Sequence, residues 1–405
     1  MTASTADGPP VAVPSPKIII PALGITQILA WGSTYYLPTV LAKPIAADTG
    51  WSLTWVVAGL SLGLLIAGLT APFVGRKIHD LGGRPVLVSS AILIALGQLT
   101  LALSPNVGVF IAGWIVVGFG MSAGLYDAAF STLGRLYGQA ARQHITILTL
   151  FGGLASTACW PLSAFLVEEV GWRGACGVYA AIHILFTLPV YLLTLPRGAL
   201  PDWREEQKPR SAIARDRNRA IFLILAAAIM VGSMLQTVFL VHILTILQTM
   251  GIALAAAVGF GTLIGPSQVS ARFIEMMISR YHHPIWTKVA SVSFVALGLA
   301  LLWSELPIVP VALVLFGAGI GLESIARATL PLALFGAADY APIMGRLARP
   351  SLIAQAISPS IGAFLIERLG AESTLAVVVA AAVFNVALTL LLFGLTRAHT
   401  NPSTH

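Results

Sequence analysis

The sequence predicts an all-α membrane protein of twelve transmembrane helices, arranged as two pseudo-symmetric six-helix bundles. Three observations carry that reading. The 405 residues are 57% hydrophobic and only 10% charged, against about 25% charged in a soluble domain. The apolar residues fall in continuous runs of about 20, the length a helix needs to cross a bilayer, without the alternation of a transmembrane barrel. Features of the first half also recur in the second, which is how internally repeated membrane proteins look in sequence.

In chain order the predicted spans are 18–42, 53–74, 86–103, 107–132, 145–168, 174–195, 220–247, 253–273, 285–303, 307–335, 342–366 and 373–396. Residues 1–17 precede them. They are polar and Pro-rich, with no basic stretch ahead of a cleavable apolar run, so they are expected to form a disordered tail rather than a signal peptide. The second span opens at Gly50-Trp51-Ser52, where Ser52 is a natural helix N-cap. The eighth is interrupted by Gly265-Pro266-Ser267-Gln268, which should break it near its middle. The longest polar interval, Arg197 to Arg219, mixes seven basic with four acidic residues. It separates a first bundle (18–196) from a second (219–396), with 197–218 as the central loop and 397–405 as a C-terminal tail.

Lys and Arg placement sets the orientation. With both termini cytoplasmic, the inner loops hold Lys17, Arg76, Lys77, Arg84, Arg135, Arg142, the central-loop group, Arg272, Arg280, Lys288, Arg346, Arg349 and Arg397. The outer loops hold only Lys43, Arg173 and Arg368. This asymmetry accounts for the net charge of +7 without a nucleic-acid partner. Cys159 and Cys176 lie in or beside spans and have no metal-ligand spacing, and no cofactor is implied.

The repeat is visible in particular residues. Ala164-Phe165-Leu166-Val167-Glu168 returns as Ala363-Phe364-Leu365-Ile366-Glu367 at an offset of 199, each a few residues after a proline, Pro161 or Pro359. Gly118-Phe119-Gly120 returns as Gly317-Ala318-Gly319, and Gly32-Ser33 as Gly232-Ser233.

Between the second and third spans runs Gly75-Arg76-Lys77-Ile78-His79-Asp80-Leu81-Gly82-Gly83-Arg84. It resembles the G-x-x-x-D-R-x-G-x-R loop of the major facilitator superfamily. Gly75, Gly82 and Arg84 match, while His79 stands where the family has Asp and Asp80 where it has Arg. By resemblance, Gly75, Arg76, Asp80, Gly82 and Arg84 form the gating loop, and spans 1, 4, 7 and 10 line a central cavity. Gly50-Trp51-Ser52-Leu53-Thr54-Trp55, with Arg135 to Arg142, is similar to bacterial members of a monocarboxylate-porter-like branch. That resemblance implies a small organic anion, an inner-membrane location and a monomer.

Charged residues inside spans are costly and mark candidate sites. Asp127 in span 4 and Glu323 and Arg327 in span 10 are such residues. In one reading Arg327 binds a substrate carboxylate while Asp127 or Glu323 carries a coupling proton. In the other they are structural clamps: Asp127 with Arg76 or Arg84, and Glu323 with Arg327 at i,i+4. Trp31 and Tyr36 of span 1, Gln236 of span 7 (offset 200 from Tyr36) and Gln268 of span 8 are further candidates for solute contact. His183 and His242 read as hydrogen-bonded structural groups. Phe151-Gly152-Gly153 through Trp160-Pro161 is a poor match to an antiporter signature.

The expected function is a secondary transporter for a small carboxylate-type metabolite, with membrane lipid around it and protons as candidate coupling ions. The alternative is proton-coupled efflux of toxic amphiphiles. No G-x-x-x-x-G-K-[ST] motif is present, so a gradient rather than ATP would drive it. A membrane-embedded enzyme would need clustered acids or a His/Ser constellation, and the intramembrane acids are solitary. A sensor of the same fold would be expected to carry a soluble domain.

Overall fold

The computed structural model describes residues 15–197, 212–304 and 306–397, and every regular element among them is helical. In the first bundle, α1 (Pro16–Ser33) and α2 (Leu37–Thr49) make one broken span, followed by α3 (Leu53–Leu81) and α4 (Gly83–Ala102). Next come α5 (Val107–Gly124), α6 (Tyr126–Tyr137), α7 (Ala141–Gly153), α8 (Ala155–Ile182) and α9 (Leu188–Thr194). That stretch runs 88 residues, far more than one crossing uses. It turns back at Gly138 and Gly171, whose φ of +57° and +69° suits glycine, so it crosses three times.

The second bundle is α10 (Ala212–Thr249), the broken span α11 (Leu254–Gly261) and α12 (Ile264–Ile278), then α13 (Pro284–Trp303), α14 (Val309–Phe335), α15 (Tyr340–Leu369) and α16 (Ala371–Arg397). Twelve crossings result, as the sequence predicts, and an even number puts Pro16 and Arg397 on one face, here termed proximal. Some boundaries move. The first span runs to Thr49 and the fourth to Tyr137, and α10 begins at Ala212 inside the interval expected as central loop. The rest of that interval lies outside the described residues, as do most of the N- and C-terminal tails.

The repeat reappears in packing. A Cβ on Gly118 would lie 2.6 Å from the Gly63 carbonyl of α3, and one on Gly317 2.7 Å from the Ile264 carbonyl of α12. Two residues on, Gly120 meets Ile94 of α4 and Gly319 meets Ser291 and Val295 of α13. The fourth span thus fits between spans two and three as the tenth fits between eight and nine. In each case glycine lets backbones touch.

Two breaks matter for the site. Pro38 has no N–H to give the Thr34 carbonyl, and its ring crowds it. The chain departs from helix at Thr34 (φ −122°, ψ −81°) and restarts as α2. The freed Ser33 carbonyl accepts from Gln98 Nε2. In span four, Leu125 is extended (φ −81°, ψ −171°), and the freed Gly124 carbonyl accepts from Gln27 Nε2 at 2.6 Å. Both repairs satisfy backbone groups that lipid could not. Pro266 splits span eight in the same way, between α11 and α12.

The bundles are sealed together on the proximal side. One buried cluster there runs through both, joining Ile78, Leu133, Leu136 and Ile145 to Ala328, Leu332, Tyr340, Ala341 and Met344. At the distal end each bundle has its own core, apart from Ala356 and Leu352 of α15, which reach the first. The tightest approach is α3 on α15: a Cβ on Gly75 would strike the Ala341 carbonyl and lie 3.2 Å from Gly345. Gly75→Val is therefore expected to hold the seam open. A cysteine placed at Ala341, 3% exposed in this state, should become reactive to a water-soluble maleimide in that variant; unchanged protection would show that the seam tolerates the side chain.

Candidate functional site

Five aromatic rings gather where α1 breaks. Trp31 lies 5.3 Å from Tyr35, 6.1 Å from Tyr36 and 5.1 Å from Tyr126 of α6, centroid to centroid. Tyr36 meets Trp160 of α8 edge-on at 6.1 Å. The Trp31 indole N–H is buried and has no hydrogen-bond partner among the described residues. A buried unsatisfied donor inside an aromatic cluster is a group available to a ligand.

The second bundle contributes Gln268 and Arg272, one turn apart on α12. Arg272 is 6% exposed. Its Nη1 donates to the Thr149 carbonyl of α7 at 3.2 Å and its Nη2 to Gln268 Oε1 at 3.3 Å, while Nε has no partner. The Tyr126 hydroxyl donates to the same Thr149 carbonyl at 3.3 Å. Gly152 and Gly153 make room for this: a side chain on Gly152 would collide with the Tyr126 hydroxyl, and one on Gly153 with Arg272 Nη1. Among the described residues Arg272 has no carboxylate partner, and it lies within electrostatic range of Tyr36 and Tyr126.

The charges singled out in the sequence are paired differently from either expected clamp. Arg327 Nη2 donates to both Asp127 oxygens, at 2.9 and 3.0 Å, joining α14 of one bundle to α6 of the other. Asp127 stands in the first turn of α6, where the helix N-terminus favours a carboxylate. It therefore meets neither Arg76 nor Arg84. Glu323 pairs not with Arg327 but with Lys288 of α13, 2.5 Å away, and accepts from Ser291 at 2.9 Å. Lys288 is fully buried and Arg272 nearly so, so neither is a loop charge. Both fall inside the spans predicted from the sequence, 253–273 and 285–303, and that was the available signal. A Cβ on Gly232 of α10 would lie 3.9 Å from Glu323 Oε1 and 3.3 Å from Asn385 Nδ2 of α16.

The loop residues divide by role. Gly75 is at the seam, Gly82 caps α3 with φ +80°, and Arg84 donates to the Leu192 carbonyl at 2.8 Å within the first bundle. Arg76 and Asp80 are exposed and form no ion pair among the described residues. Gln236 is half-buried on α10, and no hydrogen bond joins it to Tyr36 or Trp31 among the described residues. His183 lies 2.8 Å from the Ser33 hydroxyl, and His242 donates to the Pro359 carbonyl at 3.1 Å, both structural contacts.

Residues 23–345 match the family model described as Major Facilitator Superfamily. The chain belongs to the major facilitator superfamily. The human organic anion transporter MFSD10 (TETRAN) superposes with a TM-score of 0.73 at 17% identity, over 93% of this chain and all of that one. The proton:xylose symporter XylE superposes with a TM-score of 0.69 at 13% identity, over 93% and 95% of the two chains. Among curated sequences, the transcription regulatory protein OpdE of Pseudomonas aeruginosa is 28% identical over 163 residues, 40% of this chain. That match spans 38% of OpdE's length. Within this superfamily fold, the cross-bundle pair Asp127–Arg327 joins spans four and ten at a separation of 200 residues, nearly the repeat offset.

Proposed function

We propose that this protein is a secondary active transporter that moves a small organic anion across the bacterial inner membrane by alternating access, with its proximal face in the cytoplasm. The observation that carries the reading is the state of three cations inside the spans. Arg327 is neutralised by Asp127 and Lys288 by Glu323, whereas Arg272 forms no ion pair with a carboxylate among the described residues. An uncompensated charge within a membrane protein costs several kcal/mol, and a solute carboxylate would supply the missing anion. The rings of Trp31, Tyr36, Tyr126 and Trp160 would hold its apolar body, and the Trp31 N–H and Gln268 would orient it.

In this reading Asp127–Arg327 is the latch between bundles and Glu323–Lys288 takes and releases the coupling proton. Arg327 serves the solute only once Asp127 lets go. Positive-inside asymmetry supports the orientation even without Arg272 and Lys288. The aromatic cluster also favours a second reading, proton-coupled export of amphipathic compounds, which differs in direction but uses the same groups.

Counterflow of labelled benzoate in proteoliposomes tests the site. Arg272→Ala should lower kcat/KM by on the order of 100-fold, the loss of a charged hydrogen bond worth about 1.5–3 kcal/mol. Arg272→Lys should retain part of it, and benzylamine should not compete. Counterflow within twofold of wild type in Arg272→Ala would remove Arg272 from the site.

A further inference from the structure

On the outside of the bundle seam, α7 and α12 leave a groove of about 520 Å³, within the usual size of a ligand pocket. Leu150, Phe151 and Leu154 form one wall, and Val269, Phe273 and Ile274 the other, with Ser270 as the one polar residue. Leu154, Phe273 and Ile274 are exposed, so in a bilayer the groove faces acyl chains.

Its inner end is not apolar. The position where a side chain of Gly153 would stand is 3.5 Å from Val269 Cγ2 of the groove wall and in collision range of Arg272 Nη1. The groove and the guanidinium are thus separated by little more than a missing side chain. Helical spacing explains the arrangement: on α12, residues 269, 270, 273 and 274 face outward while 268 and 272 face the seam. An apolar trough that ends against an unpaired buried cation is complementary to a molecule with a hydrocarbon tail and an anionic head.

We infer that this groove is a lateral binding site for the tail of an amphipathic carboxylate whose head group is held by Arg272. This extends the proposed transport reading by giving its solute a membrane route, and it rests on that reading for the role of Arg272. The occupant is an alkyl carboxylate rather than a neutral bilayer lipid, because the carboxylate brings a net negative charge to the guanidinium as well as an acceptor for the Nε that lacks a partner.

The test uses the full chain in phosphatidylcholine proteoliposomes and dodecanoate carrying a terminal diazirine. Photolabelling should map to residues 150–154 and 269–274. It should be competed by dodecanoate and not by dodecylammonium, and it should fall at least tenfold in Ser270→Trp and in Leu154→Trp, which fill an exposed trough without touching the core. Labelling that the two competitors suppress equally, or that both Trp variants leave unchanged, would mean an ordinary lipid contact and overturn the inference. Benzoate counterflow by the wild-type protein is measured alongside. Exchange without groove labelling would reject the groove and leave the transport reading standing, whereas groove labelling without exchange would support the groove and reject the transport reading.

Discussion

Asp127→Ala and Arg327→Ala are each expected to abolish solute transport, and the exchanged pair Asp127→Arg with Arg327→Asp is expected to restore a large part of it. The two groups are four-fifths buried and face each other across the bundles. Removing either leaves a charge in a poorly solvated seam, and breaking such a pair costs about 3–5 kcal/mol. Even the lower figure shifts a two-state equilibrium by on the order of 100-fold. In the proposed latch reading the cost falls on the proximally closed state, so cycling should stall. Exchange should rebuild the pair because the residues occupy nearly repeat-equivalent places, at the smaller cost of a cation at the N-terminus of α6. Benzoate counterflow reads the rate, and maleimide reactivity of a cysteine at Ala341 reads closure. If either single variant transported at the wild-type rate with the seam still closed, the latch would be an incidental contact.

Glu323→Gln should separate accumulation from exchange. In the wild-type arrangement the carboxylate receives Lys288 at 2.5 Å and lies 2.9 Å from the Ser291 hydroxyl, whose single hydrogen it shares with the Gly319 carbonyl. Glutamine keeps the shape and can still accept a hydrogen bond, but it cannot carry a proton away. A carrier so altered can shuttle loaded in both directions, so counterflow persists within severalfold. It can no longer use a pH gradient, which supports about tenfold accumulation per pH unit for one proton. The expected result is an accumulation ratio near one at every imposed gradient, with a flat pH profile where wild type rises with the gradient. Gradient-driven accumulation by Glu323→Gln at the wild-type level would place the proton elsewhere.

The fold was legible because lipid leaves so few choices. Continuous apolar runs, a lopsided distribution of Lys and Arg, and a repeat near 200 residues are consequences of one solvent and one duplicated unit. That Asp127, Glu323 and Arg327 lie inside spans was legible for the same reason, and ions placed there need partners. Their partners were not. Helical spacing suggested Glu323 with Arg327, but a contact between α14 and α6, or α14 and α13, depends on how helices pack, which no local pattern reports. Lys288 and Arg272 were hidden by their position near span ends, where a basic residue is ordinarily a loop anchor. The break at Leu125, which gives Asp127 a helix N-terminus, has no proline to announce it. The break at Thr34 follows from Pro38, yet a proline in a transmembrane helix is often absorbed as a kink. Gly152 and Gly153 looked like fragments of a signature; their use is steric, making room for Tyr126 and Arg272.

Alternating access itself is tested most directly by distances between spin labels across the seam. One pair, at Lys77 and Arg346, reports the proximal ends of α3 and α15, and another, at Trp55 and Phe364, their distal ends; all four side chains are exposed. Cys159 and Cys176, both buried, are replaced by alanine. In the state described, α3 and α15 meet at Gly75 and Gly345, so the proximal pair should be short. Adding benzoate under a proton gradient should populate longer proximal distances and shorter distal ones together. Proximal and distal distances that lengthen in concert, or that stay fixed while the protein turns over solute, would contradict the rocking of two bundles latched by the Asp127–Arg327 contact.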